Sequence, residues 1–290
     1  MAGGLKGISG NSGVFAALSR SRDDADAWFP DGGAGFDSYL VDFVRHRNDD
    51  LPPLRVAVFG SFYRGLNLLQ ALASLPPGKV EIVGVATDDP DLPHAGGKAR
   101  IWRYDEAYAQ KSLVPDYTAS IGIAPYFGKV KSAEFYDLYE NVWKPDIAVM
   151  GTFGQLINRR LIDTPSFNFY NFHPIGHPGA WKDGIYAGPR PFEIMLERGD
   201  RQAKMIMHEV SEEFDAGVWA YESRAAIIPS GATPVSLHAL TSPLVKDLVR
   251  LLILSVRAHG LLERDFAGTA LALPFEHRRH CPRLVFSHGF

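Results

Sequence analysis

Apolar and polar positions along this chain fall into blocks whose repeat switches between two residues and three to four, and these switches predict its elements. Leu54-Arg55-Val56-Ala57-Val58-Phe59 is a short apolar run ending at Gly60, the pattern of a buried strand. Residues 66–75 follow helical spacing until Pro76-Pro77-Gly78 stops them, and Val80–Ala86 supplies a second strand. Strand, helix and strand in that order predict a parallel pair joined by a right-handed crossover. The alternation continues with a helix at 132–143, a strand at 146–150, a helix near 155–162 and a strand at 167–172. A helix at Pro191–Arg198, a β pair at 203–210 and 218–228, and a long apolar helix from Pro234 to about Ala258 complete the pattern. The implied class is α/β, with a doubly wound, mostly parallel sheet.

The flanks read differently. Residues 1–35 are rich in Gly, Ser and Asp, while Phe36, Tyr39, Leu40 and Phe43 predict a short amphipathic helix over 36–47 before the break Asp49-Asp50-Leu51-Pro52-Pro53. The expected division is an N-terminal extension at 1–50, a main domain at 51–258 and a loop-rich C-terminal tail at 259–290.

Composition narrows the function classes. Across 290 residues, 46% are hydrophobic and 22% charged, which excludes a wholly disordered, collagen-like or coiled-coil chain. A net charge of −3 lacks the surplus that sequence-independent phosphate binding requires, so no nucleic-acid partner is expected. Cys281 is the single cysteine, which rules out an internal disulfide and a multi-thiolate zinc site and suits a reducing compartment. Neither a secretory leader nor an apolar run of about 18 residues is present, so the expected address is cytoplasmic with no membrane span.

Three segments carry candidate chemistry. Gly60-Ser61-Phe62-Tyr63-Arg64-Gly65 joins a strand to a helix, where phosphates often bind. It lacks the dinucleotide spacing, and Leu66-Asn67 stands where a P-loop has its Lys-Ser/Thr pair, so a plain turn with a substrate edge nearby is the better expectation. Asn171-Phe172-His173-Pro174 ends a predicted strand, and the two-residue repeat puts Asn171 and His173 on one side. An amide and an imidazole at the carboxyl end of a strand can share one oxygen of a reacting carbonyl; they can equally cap backbone groups. Ser211-Glu212-Glu213-Phe214-Asp215-Ala216-Gly217 follows the next strand with three carboxylates. One that met His173 would raise its pKa and favour imidazolium; a solvated acidic turn is the bland alternative. No metal is expected. Pro174, Gly176, Pro178 and Gly179 keep His173 and His177 off a common helix face, and arginines flank His277 and His280.

The order of these elements resembles the folate-dependent formyltransferase family. Pro145-Asp146 with Gly151-Thr152-Phe153-Gly154-Gln155-Leu156-Ile157 is similar to its strand and turn, Asn171-Phe172-His173-Pro174 to its Asn-x-His segment, and Val210 to Gly217 to its Asp-x-Gly loop. The likeness covers roughly residues 54–255. It implies a formyltransferase catalytic domain with Asn171, His173 and Asp215 as the catalytic triplet. The donor 10-formyltetrahydrofolate would lie against Phe153, Gly154, Gln155, Leu156 and Ile157, and against Val210, Glu213, Phe214 and Gly217. Protonated His173 and Asn171 would stabilise an oxyanion while Asp215 orients the histidine. Trp181, Tyr186 and Arg190 are the expected acceptor wall.

Within that family, methionyl-tRNA formyltransferases carry a further C-terminal barrel for which little sequence remains after Ala258. The turn after the first strand does not match the Gly-Ser-Asn turn of glycinamide ribonucleotide formyltransferases, and the first 50 residues do not resemble the regulatory domain of formyltetrahydrofolate hydrolases. The branch expected is formyl transfer to the nitrogen of a small amine or hydroxylamine. The blocks 86–90, 100–104, 128–131 and 169–173 are similar to the N5-hydroxyornithine formyltransferases of siderophore (pyoverdine) biosynthesis. Alternatives are a nucleotide-linked amino-sugar N-formyltransferase or a non-catalytic folate-binding protein, with a homodimer left open.

Overall fold

The computed structural model describes residues 49–89, 110–177 and 183–265, apart from Phe214, Ala216 and Val218. The chain enters at β1 (Leu54–Gly60), turns into α1 (Phe62–Ala73) and returns through β2 (Val80–Ala86). After α2 (Leu113–Ser120), α3 (Ala133–Asp137) runs into a π-helical turn (Leu138–Trp143) before β3 (Ile147–Gly151), α4 (Arg159–Asp163) and β4 (Phe169–Ile175). Then come α5 (Pro191–Arg198), β5 (Gln202–Glu209), β6 (Trp219–Glu222) and β7 (Ala226–Ile227). Helix α6 (Pro234–Thr241), a 3-10 turn (Ser242–Leu244) and α7 (Val245–Asp265) close the order.

The sheet runs β2-β1-β3-β4-β5-β6, with β7 beside β5. Strands β2, β1, β3 and β4 pair in parallel, and β5 is antiparallel to its neighbours β4, β6 and β7. The mostly parallel, doubly wound expectation therefore holds, with an antiparallel edge. Because β2 and β3 flank β1 on opposite sides, connections leave the sheet in opposite directions at β1 and β3. Their carboxyl ends open a crevice there, the usual ligand position in such sheets.

Two apolar layers cover the sheet. On one face, Val56, Val58, Val149, Tyr170 and Phe172 pack under α1 and the mid-length of α7, where Leu248, Leu252 and Val256 are buried. On the other, Phe59 lies among Phe135, Tyr139, Phe153 and Phe169 with ring centroids 4.9–5.9 Å apart. Each such aromatic pair adds about 0.5–1.5 kcal/mol beyond simple burial, so the turn bearing Phe153 is firmly seated. At the entry to the domain, buried Arg257 of α7 donates to Asp49 Oδ2 at 2.6 Å and to the carbonyls of Leu51, Pro52 and Lys79. Every donor on that guanidinium thus has work away from water, which is what lets it sit in an apolar helix.

Several boundaries differ from the sequence reading. Helix α1 starts at Phe62 rather than Leu66, because Gly60 and Gly65 face each other: a Cβ on Gly65 would stand 2.6 Å from the Gly60 carbonyl carbon. That contact pulls the first turn down onto the sheet and carries Arg64 with it. The helix expected near 155–162 is only α4; residues 152–157 form a turn in which the Gln155 side chain bridges Gly128 O and Val130 N, both at 3.0 Å. The single helix expected at 234–258 is broken at Pro243, which has no N–H to continue the ladder, and α7 then runs on to Asp265. The expected strand at 218–228 is two short pieces, β6 and β7, and α2, with Pro115 in its first turn, was not foreseen. The helix expected over 36–47 and the tail motif at 276–280 lie outside the described residues. Among the described residues no helix is long and apolar enough to cross a membrane.

Candidate active site

All seven residues of β4 are buried, and their side chains divide by parity. Tyr170 and Phe172 join the α1/α7 layer, while Phe169 joins the Phe59 cluster and Ile175 a third cluster with Tyr186, Phe192 and Ile206. Asn171 and His173 occupy the two positions between Phe169 and Ile175 on that second face. The site is therefore a polar gap between two apolar clusters, and it opens on a cavity of about 390 Å³ at the crevice. Antiparallel pairing sets His208 of β5 directly opposite Asn171, and Ile206 opposite His173.

Asp215 reaches the same point from the turn after β5. Its backbone is left-handed, φ 49°, a conformation Asp tolerates better than most residues. Two residues on, a Cβ at Gly217 would overlap the Glu209 carbonyl oxygen, so a glycine is what lets the turn close on the end of β5. Asp215 Oδ1 accepts from Asn171 Nδ2 at 3.0 Å and lies 3.3 Å from His173 Nδ1 and 3.5 Å from His208 Nε2. Gly188 N donates to Oδ2 at 2.8 Å. The second amide hydrogen of Asn171 faces His208 Nε2 at 3.1 Å, while His208 Nδ1 donates to Glu209 O at 2.8 Å. One carboxylate oxygen thus gathers three side chains from two neighbouring strands.

The protonation pattern follows from these partners. His173 Nε2 is 2.7 Å from the Tyr186 carbonyl, which only accepts, so Nε2 carries hydrogen. In the neutral ring the Nδ1 lone pair then faces Asp215. Burial pushes the His173 pKa down; Asp215 and the Tyr186 carbonyl oppose that shift without reversing it. The imidazolium expected from a carboxylate neighbour is thereby corrected to a neutral resting ring, because loss of hydration outweighs one nearby charge. Burial also works to raise the Asp215 carboxyl, but His173, His208 and the Gly188 N–H more than offset it and hold the group well below the usual carboxylate range.

The opposite wall is built from α1, β3 and α6. Arg64, 5% exposed, makes one long contact from Nη1 to Phe172 O at 3.5 Å and lies over the Phe192 ring at 5.8 Å. Its Nε and Nη2 have no hydrogen-bond partner among the described residues. Burial pushes its pKa down to about 9, with Asp215 opposing. His238 bonds Thr152 Oγ1 through Nε2 at 3.0 Å, and its Nδ1 is unpartnered. Burial, assisted by the Arg64 charge, pushes the His238 pKa well down.

Asn171, His173 and Asp215 all line the cavity, as do Phe153, Gln155, Leu156, Ile157, Val210 and Glu213. Gly154 does not line the cavity but donates its N–H to Oδ1 of Asp88, which does, at 3.1 Å, and Gly217 serves the turn as described. Phe214 and Trp181 lie outside the described residues. Two of the expected acceptor residues sit elsewhere. The Tyr186 hydroxyl donates to Asp200 Oδ2 at 2.6 Å, and only its carbonyl serves the site. Arg190 is half-exposed at the start of α5, where its guanidinium pairs with Glu193 and Glu197 on the same helix. The placement of Tyr186 and Arg190 in the acceptor wall is corrected accordingly: neither residue lines the cavity, and each side chain has its own partner. Sequence reasoning missed His208, Arg64 and His238. Only strand register singles out His208; Arg64 was signalled weakly by an arginine in a Gly-flanked turn after β1.

The doubly wound, mostly parallel sheet is the architecture that the motifs led us to expect, and the chain belongs to the formyl transferase family, whose description matches residues 54–242. It is thus a member of an enzyme family. Over 156 residues it is 29% identical to the methionyl-tRNA formyltransferase of Brucella melitensis, covering 53% of this chain and 46% of that protein. The methionyl-tRNA formyltransferase of Roseiflexus sp. is 25% identical over 196 residues, covering 68% and 52% respectively. The chain spans about half the length of the curated relatives it matches. In structure it is similar to the phosphoribosylglycinamide formyltransferase of Anaplasma phagocytophilum, with TM-score 0.51 and 20% identity over 69% of this chain and 87% of that one. That likeness concerns the fold.

Proposed function

We propose that the chain transfers the formyl group of 10-formyltetrahydrofolate to the nitrogen of a small amine or hydroxylamine, with N5-hydroxyornithine as acceptor. The single observation that carries this reading is the convergence of Asn171, His173 and Asp215 on one wall of the cavity. Family membership supplies the type of donor. The apolar side chains Phe153, Leu156, Ile157 and Val210 fit a flat ring beside that wall.

In this reading Asn171 donates an N–H to the charge that grows on the formyl oxygen, exchanging its contact with His208 Nε2 for that oxygen. His173 takes the proton lost by the attacking nitrogen at Nδ1, its only ring position not engaged by the Tyr186 carbonyl. Asp215, already ionised, faces the imidazolium so formed and offsets its burial. His173 then returns the proton to the folate nitrogen as the bond between that nitrogen and the formyl carbon breaks, which leaves the ring neutral and the balance closed.

The test mixes the protein with 10-formyltetrahydrofolate and one acceptor at a time, following folate absorbance and the mass of the acceptor. N5-hydroxyornithine is expected to give a formylated product and free tetrahydrofolate. Turnover with water alone identifies a deformylating hydrolase. Preference for glycinamide ribonucleotide, methionyl-tRNA or a nucleotide-linked amino sugar overturns the acceptor, and donor binding without any turnover points to a folate-binding protein.

A further inference from the structure

Arg64 stands out because a buried guanidinium ordinarily has partners for its donors, as Arg257 does in this same molecule. The two nitrogens of Arg64 left without partners are Nε and Nη2. Their N–H groups lie side by side on one edge of the guanidinium, the edge that takes both oxygens of a carboxylate in parallel. Nη1 points instead at Phe172 O at 3.5 Å, and the guanidinium carbon lies 5.8 Å from the Phe192 ring centroid. The Asp215 carboxylate does not serve it: Oδ1 is surrounded by Asn171 and the two histidines, and Oδ2 takes the Gly188 N–H. His238, with Nδ1 unpartnered, lines the cavity beside Arg64.

A phosphate has less to recommend it. Its usual seat in an α/β sheet, the turn between β1 and α1, is already filled. Ser61 N donates to Thr152 O at 2.9 Å, and the Ser61 hydroxyl donates to Asp88 Oδ2 at 2.9 Å. The Asp88 carboxylate therefore occupies the place where an anion would meet the start of α1, and it would repel a second one. The cationic side chain that lines the cavity, that of Arg64, carries a planar fork, which matches a carboxylate.

Taking formyl transfer as the activity, we infer that the Nε/Nη2 edge of Arg64 binds a carboxylate carried by the acceptor, so that the enzyme selects an amino acid whose reacting nitrogen lies at the far end of its side chain. Asn171 and His173 on β4 and Arg64 on α1 then hold opposite ends of one small molecule, with the Phe172 carbonyl, between the two β4 residues, touching the guanidinium.

The decisive comparison uses two ligands that differ only in this group: N5-hydroxyornithine and its decarboxylated counterpart N-hydroxyputrescine. Each is titrated by calorimetry into the unmodified protein and into Arg64→Met, with 10-formyltetrahydrofolate binding measured in parallel. N5-hydroxyornithine is expected to bind roughly 10- to 100-fold more tightly than N-hydroxyputrescine, as charge-assisted pairing implies. Arg64→Met should abolish that difference while the affinities for N-hydroxyputrescine and the donor stay within about twofold, since neither loses a charge-assisted contact there. Equal binding of the pair, no binding of either, or a preference that survives Arg64→Met overturns the inference. So does a loss that falls on the donor, or Arg64-dependent binding of glycinamide ribonucleotide in their place. Because binding is read without turnover, failure of the formyl-transfer reading shows separately, as carboxylate selection with no formylated product. The ligand pair on the unmodified protein tests the inference even if Arg64→Met fails to fold.

Discussion

The two walls of one cavity obey opposite rules. On the β4/β5 side, Asn171, His173, His208 and Asp215 engage one another and the carbonyls of Tyr186 and Glu209, so this wall is set before any ligand arrives. On the α1/α6 side, Arg64 Nε and Nη2 and His238 Nδ1 are buried with no hydrogen-bond partner among the described residues. A satisfied polar cluster holds its geometry; an unsatisfied one carries a desolvation cost that a ligand can relieve. On the proposed function the first wall serves chemistry and the second recognition, and the contrast predicts that substitutions on the two will move stability in opposite directions.

The largest effect is expected on the satisfied wall. Asn171→Ala and His173→Ala should each lower kcat about 10²–10³-fold, the loss typical of one oxyanion donor or proton-transfer group. Both variants should keep the native circular dichroism spectrum; turnover within threefold or so of the parent would remove them from the chemistry. Next comes Gly217→Ala. The added methyl overlaps the Glu209 carbonyl and displaces Asp215, and a cost of about 1–3 kcal/mol in urea melts together with a drop in kcat is expected. Unchanged kcat in a destabilised Gly217→Ala would show that Asp215 is placed by something other than this turn.

On the unsatisfied wall the sign reverses. Arg64→Met removes a buried cation two of whose nitrogens have no partner among the described residues and fills similar volume, so the ligand-free protein should gain about 1–3 kcal/mol in chemical denaturation. A destabilised Arg64→Met would mean that the Phe172 carbonyl contact and the Asp215 field outweigh burial. The smallest effect is a pH slope. His173 and His238 both have folded pKa values pushed below the ordinary 6.5 by burial. Below that pH the unfolded chain binds protons that the folded rings refuse, so stability should fall as pH drops through 6.5 toward the depressed values, by at most about 1.4 kcal/mol per unit for each ring. Asp215, with its lowered pKa, adds to the loss only once pH falls below the ordinary 3.8. His238→Gln should flatten the upper part of this slope; an unchanged melting temperature profile between pH 7 and 5 would sink the assignment.

Much of this arrangement is legible in the chain. The runs at 54–59 and 80–86 are mostly apolar, interrupted only by Arg55 and Glu81 near their starts, because parallel strands are covered on both faces, and the two-residue repeat puts Asn171 and His173 together without knowledge of any neighbour. The turn after β3 is harder. Residues 155–162 have helical spacing, but Gln155 finds Gly128 and Val130, remote in sequence, and the helix begins only at Arg159.

The family resemblance thus points to Asp215 among three acidic residues that spacing alone leaves equal, but nothing local says that its Oδ1 collects two histidines or that burial pushes the His173 pKa down. Those outcomes depend on strand register, which sets His208 against Asn171, and on how much water the packed layers exclude. By itself the sequence determined the order and type of the main elements and the chemical groups at the strand ends, since periodicity and turn residues act within a few positions. Only the tertiary structure decided which groups share an oxygen and which, like Nε and Nη2 of Arg64, are left buried with donors unmet, because hydrogen-bond partners and desolvation come from segments far apart along the chain.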